Sequence, residues 1–343
     1  MSLPAVIAEI VPEDPEVTTG AVLAGLCVMA MLAGSLSILL KWRARHSHGQ
    51  PIIPQANRPL LKIPVSLLVF GLLISIAMAL MAIVASIGTD SSVETGLALD
   101  FDPALALYSA VQYDIVMILI LGIPVLILNQ MQRASRSLMG EPGAVRTEDS
   151  IDPISERDDS NPYAAPATFL PGAMEAGDDS SNDNVAVEPW RFGRELRFAA
   201  EVCMAAWLPT AILRIAMVLI LQDEGQHPFL EMIMNGVSLE ILLLIAFTAV
   251  VLAPVMEELL YRVIILGGML NRKNLTDSST AFAIGISSVL FAFAHGFPDS
   301  VALLPLAAAI GWTYHRRRSY RTVVLIHVLF NGFNLLIAGL GIL

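Results

Sequence analysis

Long apolar runs, separated by short polar stretches, recur along most of the chain. A helix needs about 20 apolar residues to cross the hydrocarbon of a bilayer at about 1.5 Å per residue. The fifth run is longer than one perpendicular crossing requires, and the seventh is short. The pattern predicts an all-α fold, a polytopic transmembrane helical bundle of about eight spans. The predicted spans lie near residues 19–40, 63–87, 105–129, 198–221, 238–270, 280–297, 301–314 and 322–342.

The composition supports a membrane protein. Of the 343 residues, 55% are hydrophobic and only 15% are charged, which is far from the composition of a soluble domain. We therefore expect a multi-pass protein of the cell (inner) membrane that contacts membrane lipid and binds no nucleic acid. Cys27 and Cys203 both lie within apolar runs, so the chain offers neither a disulfide framework nor a cysteine-based zinc site.

The net charge of -11 is concentrated in one segment. Between Glu141 and Glu188 there are twelve acidic residues and two arginines, among many Ser, Asn, Pro and Gly. This composition is typical of a disordered linker. The chain is accordingly divided into a three-span region at residues 1–133, an acidic linker at 134–189 and a five-span core at 190–343.

Basic residues predict which loops face the cytoplasm. Positive charges are enriched in cytoplasmic loops, and here they cluster in alternate loops, which places the linker in the cytoplasm. The first span has no basic region before it and is interpreted as a retained helix rather than a signal peptide. The basic residues of these loops are Lys41, Arg43, Arg45, Lys62, Arg133, Arg136, Arg191, Arg194, Arg197, Arg272, Lys273, Arg316, Arg317, Arg318 and Arg321.

The stretch LAPVMEELLYR, residues 252–262, places three ionisable groups inside the fifth predicted span. A charge at bilayer depth costs about 2.5 to 3.5 kcal/mol. On a helix Glu258 and Arg262 share a face and can form an ion pair, whereas Glu257 points about 100° away. One carboxylate is then tied to a cation and the other is free to act as an acid or a base.

Two further polar pairs follow at helical spacing, Phe291 with His295 and His327 with Asn331. Residues four apart share a helix face. Counted along the helices, Glu257 and His295 lie at similar depths, but His327 is shallower. The last helix then starts outside the membrane, the others tilt, or the groups do not share a site.

Other residues in the spans are interpreted as structural. Asp114 lies in the third span, and Arg214 and Glu240 lie toward the outer ends of theirs, where Arg214 can snorkel or pair with either acid. Pro254, three residues before Glu257, is expected to kink the fifth span and to free a backbone carbonyl near the site.

The three motifs together carry a family resemblance. EELLYR, followed by Phe291 to His295 and by His327 to Asn331, resembles the signature of the CAAX protease and bacteriocin-processing (CPBP, or Abi) family. This family includes the type II CAAX prenyl endopeptidases. The resemblance covers residues 195–343 and shows no departure at the motif positions, whereas the first three spans and the linker lie outside it.

The resemblance implies intramembrane endopeptidase activity. It implies that Glu257, aligned with His295, activates a water molecule for attack on the scissile carbonyl, while His327 and Asn331 stabilise the oxyanion. Glu258 and Arg262 would position Glu257. No cofactor is needed in this mechanism.

Two alternatives stay open at this point. Glu257, His295 and His327 also make a two-histidine, one-carboxylate set that suits a catalytic zinc ion, although the chain lacks a linear HExxH motif. A non-catalytic membrane scaffold or chaperone is the other alternative. The expected partner is a membrane-associated or lipidated peptide or protein, cleaved in CAAX-type processing or in bacteriocin maturation or self-immunity.

Overall fold

A computed structural model describes residues 19–56, 58–95, 103–138, 191–221, 238–271 and 276–342. All regular secondary structure in these residues is helical, which confirms the all-α class. The helices are α1 Thr19–Ser47, α2 Val65–Thr95, α3 Pro103–Leu138, α4 Phe192–Leu221, α5 Leu239–Leu270, α6 Asp277–Phe293, α7 Asp299–Arg317 and α8 Tyr320–Ile342.

Six of the helices are long and apolar enough to cross a membrane. The remaining two, α6 and α7, correspond to the sixth and seventh predicted spans. Helix α6 is apolar but has only 17 residues, and α7 begins at Asp299 and ends in the basic run His315, Arg316 and Arg317. The six candidates are Thr19–Ser47, Val65–Ala82, Leu107–Ser135, Phe192–Leu221, Leu239–Leu270 and Tyr320–Leu340.

The helices pack around two central elements. Helix α4 contacts α1, α7 and α8, and helix α5 contacts α2, α3, α6 and α8. One apolar core includes Met31 of α1, Leu121 of α3 and Leu260 of α5. The N-terminal and C-terminal helices therefore bury a common core.

The segment between α1 and α2 ties the first helices to the last ones. The Ala56 amide donates to the Arg316 carbonyl at 3.0 Å, and the Arg316 side chain donates to the Ile53 carbonyl at 3.2 Å. Arg58 forms an ion pair with buried Glu195 of α4 at 3.0 Å. These contacts fix the connection across the ends of α4 and α7.

Several predictions fall on residues outside the described ranges. Residues 1–18 and 139–190 are not described. The disorder and the cytoplasmic position of the acidic linker, the domain boundaries that it defines and the sidedness of the bundle stay predictions.

Candidate active site

Helix α5 changes its winding around the two glutamates. The α-helical stretch Ala253–Glu258 lies between two π-helical segments, Thr248–Leu252 and Leu259–Leu266. Single π-helical turns inside α-helices are frequent at functional sites. The extra residue per turn rotates the side chains on either side of Glu257 relative to an unbroken α-helix.

Pro254 explains one contact of this helix. In the first π segment the Ala253 amide donates to the Thr248 carbonyl, so the next amide in register would meet the Ala249 carbonyl. That amide belongs to Pro254, which has no N–H. The Asn331 side chain of α8 donates to the Ala249 carbonyl instead, at 2.8 Å. This contact supports the prediction that Pro254 frees a carbonyl near the site.

Glu258 and Arg262 form the predicted ion pair. Arg262 Nε donates to Glu258 Oε2 at 3.0 Å, and both side chains are fully buried. Arg262 Nη1 also donates to Ser287 Oγ of α6 at 3.0 Å, and that hydroxyl donates to the Tyr261 carbonyl at 2.8 Å. The charge of Glu258 is therefore compensated inside the bundle.

The second oxygen of Glu258 binds a histidine of the last helix. His327 Nδ1 lies 2.9 Å from Glu258 Oε1. An ionised carboxylate only accepts hydrogen bonds, so Nδ1 carries the proton and the Nε2 of neutral His327 has a lone pair. Glu258 thus positions His327 directly, a contact that the spacing of residues along the chain does not reveal.

His295 is also held by a hydrogen bond at Nδ1, but its partner is a backbone carbonyl. Its Nδ1 lies 2.9 Å from the Phe291 carbonyl, which only accepts, so Nδ1 is the donor here as well. The expectation that His295 lies on a helix is wrong, because α6 ends at Phe293. Gly296 adopts a φ of +75° and Pro298 follows, and this backbone ends the helix and leaves His295 in a turn.

Glu257 lies between the two imidazoles. Its Oε1 is 3.7 Å from His295 Nε2, and its Oε2 is 3.7 Å from His327 Nε2. Oε2 is buried and has no hydrogen-bond partner among the described residues. The Glu257 side chain is 13% exposed, whereas that of Glu258 is 0% exposed. The predicted asymmetry between a paired and a free carboxylate is confirmed.

The site is thus a set of converging acceptors. One free carboxylate and two imidazole Nε2 atoms face each other across distances too long for direct hydrogen bonds. Such a set can orient a water molecule and take a proton from it. The structure also brings His327 to Glu257, despite the difference in depth that was counted along the sequence.

Phe291 is the packing centre of the site. Its ring centroid lies 4.8 Å from that of His295 and 5.5 Å from that of His327. The guanidinium carbon of Arg262 lies 5.0 Å from the same ring. Phe291 and Ser287 were not predicted to act in the site, although they lie four residues apart on one face of α6 and His295 follows four residues after Phe291.

A metal shell is not formed by these side chains. Within the described residues, no group of three His, Cys, Asp or Glu side chains has the geometry of a metal site. The zinc alternative for Glu257, His295 and His327 therefore stays a prediction, to be decided by metal analysis of the protein.

The comparisons with known proteins bear on the same part of the chain. Residues 239–333 match the family model described as Type II CAAX prenyl endopeptidase Rce1-like. All six predicted site residues lie in this range, and the family resemblance is confirmed. No curated protein and no solved structure gives a significant match to the chain.

Proposed function

We propose that the Rce1-like segment forms the active site of an intramembrane endopeptidase that hydrolyses peptide bonds of membrane-associated substrates. The family match supports a membrane peptidase of the CAAX type in general terms. The observation that carries the proposal is Glu257, a free carboxylate held between His295 and His327. A solely structural glutamate at this depth would be paired, as Glu258 is.

In this mechanism Glu257 is the general base. It takes a proton from a water molecule, which attacks the scissile carbonyl, and it returns the proton to the leaving amine. His295 Nε2 faces the same carboxylate and aligns the water. Because Glu258 is already neutralised by Arg262, the proton moves to Glu257 and not to its neighbour.

His327 and Asn331 are proposed to stabilise the oxyanion. His327 donates to the oxyanion from Nε2 when the ring carries both protons, and the contact of Nδ1 with Glu258 holds the ring in place. One N–H of the Asn331 amide is used on the Ala249 carbonyl, which orients the side chain and leaves its second N–H for the oxyanion. Removing one oxyanion donor costs about 10²- to 10³-fold in rate.

The substrate class is proposed from the resemblance alone. The matching family description names prenyl endopeptidases, so lipidated proteins of the CAAX type are one class. Maturation of bacteriocin-like peptides, or self-immunity to them, is the other. No side chain described above selects between these substrates.

The decisive experiment compares wild type with Glu257→Gln at matched protein level. The change keeps the shape of the side chain and removes only the base. Glu240→Gln is the matched control, because Glu240 is exposed in the first turn of the same helix. Mass spectrometry of the membrane proteome should show fragments with wild type and Glu240→Gln that are missing with Glu257→Gln.

The same experiment tests the two alternatives. Identical fragment patterns in all three strains, with all three proteins folded, would contradict the peptidase proposal and leave the membrane scaffold. Zinc dependence is checked separately by the metal content of the purified protein and by loss of cleavage with a chelator. A stoichiometric metal whose removal abolishes cleavage would contradict the metal-free mechanism.

A further inference from the structure

Helix α3 runs alongside α5 in the same direction. Near its start, Leu107 packs with Ile245, and fifteen residues later Gly122 lies next to Leu259, so that a Cβ at Gly122 would be 3.6 Å from that side chain. The two helices are therefore parallel, and equal numbers of residues along each cover nearly the same distance. By interpolation, Asp114 of α3 lies at the level of about residue 252 of α5.

Asp114 is a buried carboxylate without a partner in the described part of the chain. Its residue is 6% exposed, and none of the described residues forms a hydrogen bond or an ion pair with it. It lies within electrostatic range of Glu257. Helix α3, outside the range that matches the family model, therefore brings a second free carboxylate to the candidate active site.

The charges around Glu257 do not balance. The described charged groups and imidazoles near Glu257 are His295, His327, Glu258, Asp114 and Arg262, and the neutral phenols of Tyr113 and Tyr261 also lie within electrostatic range. Three carboxylates face one guanidinium, and that guanidinium is paired with Glu258. Uncompensated charge is costly at this depth, and a positive group brought by the substrate would reduce the imbalance.

We propose that Asp114 is a specificity-determining residue that binds a cationic group of the substrate, a lysine or arginine side chain close to the scissile bond. Asp114 lies at the level of about residue 252 of α5, five residues before Glu257. This separation is about 8 Å along the helix axis. An extended peptide advances about 3.3 Å per residue. The cationic residue therefore lies two or three positions from the scissile bond. This inference rests on the proposed peptidase function.

The test uses synthetic internally quenched peptides and the full-length protein in proteoliposomes. The peptides carry Lys, Gln or Glu at each of the three positions on either side of one bond. The variants are Asp114→Asn and Asp114→Lys, with Asp277→Asn as the matched control, because Asp277 is an exposed aspartate at the start of α6.

Wild type and Asp277→Asn should prefer Lys over Gln at one position by at least about tenfold in kcat/KM. Asp114→Asn should reduce that ratio to about one, and Asp114→Lys should invert it in favour of the Glu peptide. A purely structural aspartate would lower cleavage of every peptide equally, without changing the ratio. That result, or an unchanged Lys preference in Asp114→Asn, would overturn the inference.

A binding measurement separates this inference from the peptidase proposal. If wild type cleaves no peptide, the proposed function fails, but binding of the same peptides to Glu257→Gln still reports on Asp114. Lys peptides should bind this variant more tightly than Gln peptides, and carbodiimide should couple the lysine amine to Asp114, as located by mass spectrometry. Equal binding of both peptides, or no coupling at Asp114, would overturn the assignment.

Discussion

At the scale of single residues, two adjacent glutamates have opposite environments. Glu258 is fully buried and bonded to both Arg262 and His327. Glu257 is partly exposed and has no hydrogen bond at Oε2 from the described residues. The same side chain therefore contributes to the folding free energy at one position and is available for chemistry at the next.

This difference predicts opposite effects of one substitution. Glu258→Gln leaves the Arg262 cation buried without a counter-ion and should lower the free energy of unfolding by about 3 to 5 kcal/mol. Glu257→Gln should leave stability near that of wild type while abolishing cleavage. Thermal unfolding in detergent, with Glu240→Gln as control, checks both. Equal losses of stability at the two positions would contradict the division of roles.

Ser287 allows a matched test of the hydrogen bonds that hold the Arg262 side chain. Ser287→Ala removes the bonds to Arg262 Nη1 and to the Tyr261 carbonyl, and should cost about 1 to 3 kcal/mol because buried polar groups lose their partner. Among the described residues, the adjacent Ser288 bonds only to the Ile284 carbonyl of its own helix. Ser288→Ala should therefore cost less in the same unfolding measurement. The reverse order would show that the Arg262 contact is unimportant.

At the scale of elements, the two π segments of α5 make room for side chains from other helices. A regular α-helix would satisfy its own carbonyls and leave Asn331 without the Ala249 carbonyl as acceptor. The local cost of irregular winding is offset by contacts with α8. The shape of α5 is thus determined jointly by Pro254 and by a neighbouring helix.

A double-mutant cycle tests this joint dependence. Asn331→Leu leaves the Ala249 carbonyl unpaired and should cost about 1 to 3 kcal/mol. In the background of Pro254→Ala a backbone N–H becomes available for that carbonyl, so the same substitution should cost less. Unfolding free energies of wild type, both single variants and the double variant give the coupling. Additive effects would mean that the two residues are independent.

At the scale of the whole molecule, the first three helices are packed into the same core as the site. Gly71 of α2 lies so close to α5 that a Cβ there would be 2.7 Å from Ile264 Cγ2. Buried Glu195 of α4 binds Arg58, Arg317 and Thr322, and so joins the α1–α2 connection to the last two helices. The N-terminal region is a structural part of the site's surroundings.

A pair of glycine substitutions checks this packing. Gly71→Ala should force α2 away from α5 and cost about 1 to 3 kcal/mol of stability. A Cβ at Gly25 of α1 would meet no described atom within 4 Å, so Gly25→Ala should be neutral or slightly stabilising through helix propensity. The comparison is made by thermal unfolding in detergent. Equal stability of the two variants would contradict a close α2–α5 contact.

Asp114 shows the limit of reasoning along the chain. Taken alone, it is one polar residue in an apolar run, and the sequence favours a structural role. Its proximity to Glu257 depends on how α3 and α5 align. Arg214 is a similar case, because its observed partner at 3.9 Å is Asp299, and neither of the two acids considered from the sequence.

The membrane class, the helical fold and the three motifs could be predicted from the sequence, because hydropathy and helical spacing are local properties. The sequence also predicted the Glu258–Arg262 pair and the free carbonyl near Pro254, which involve residues within a few turns of one helix. The packing of the helices was needed to show that Glu258 binds His327, that Asn331 binds the Ala249 carbonyl and that Asp114 lies near Glu257. These contacts join different helices, and the rotation and axial alignment of packed helices are set by the core as a whole.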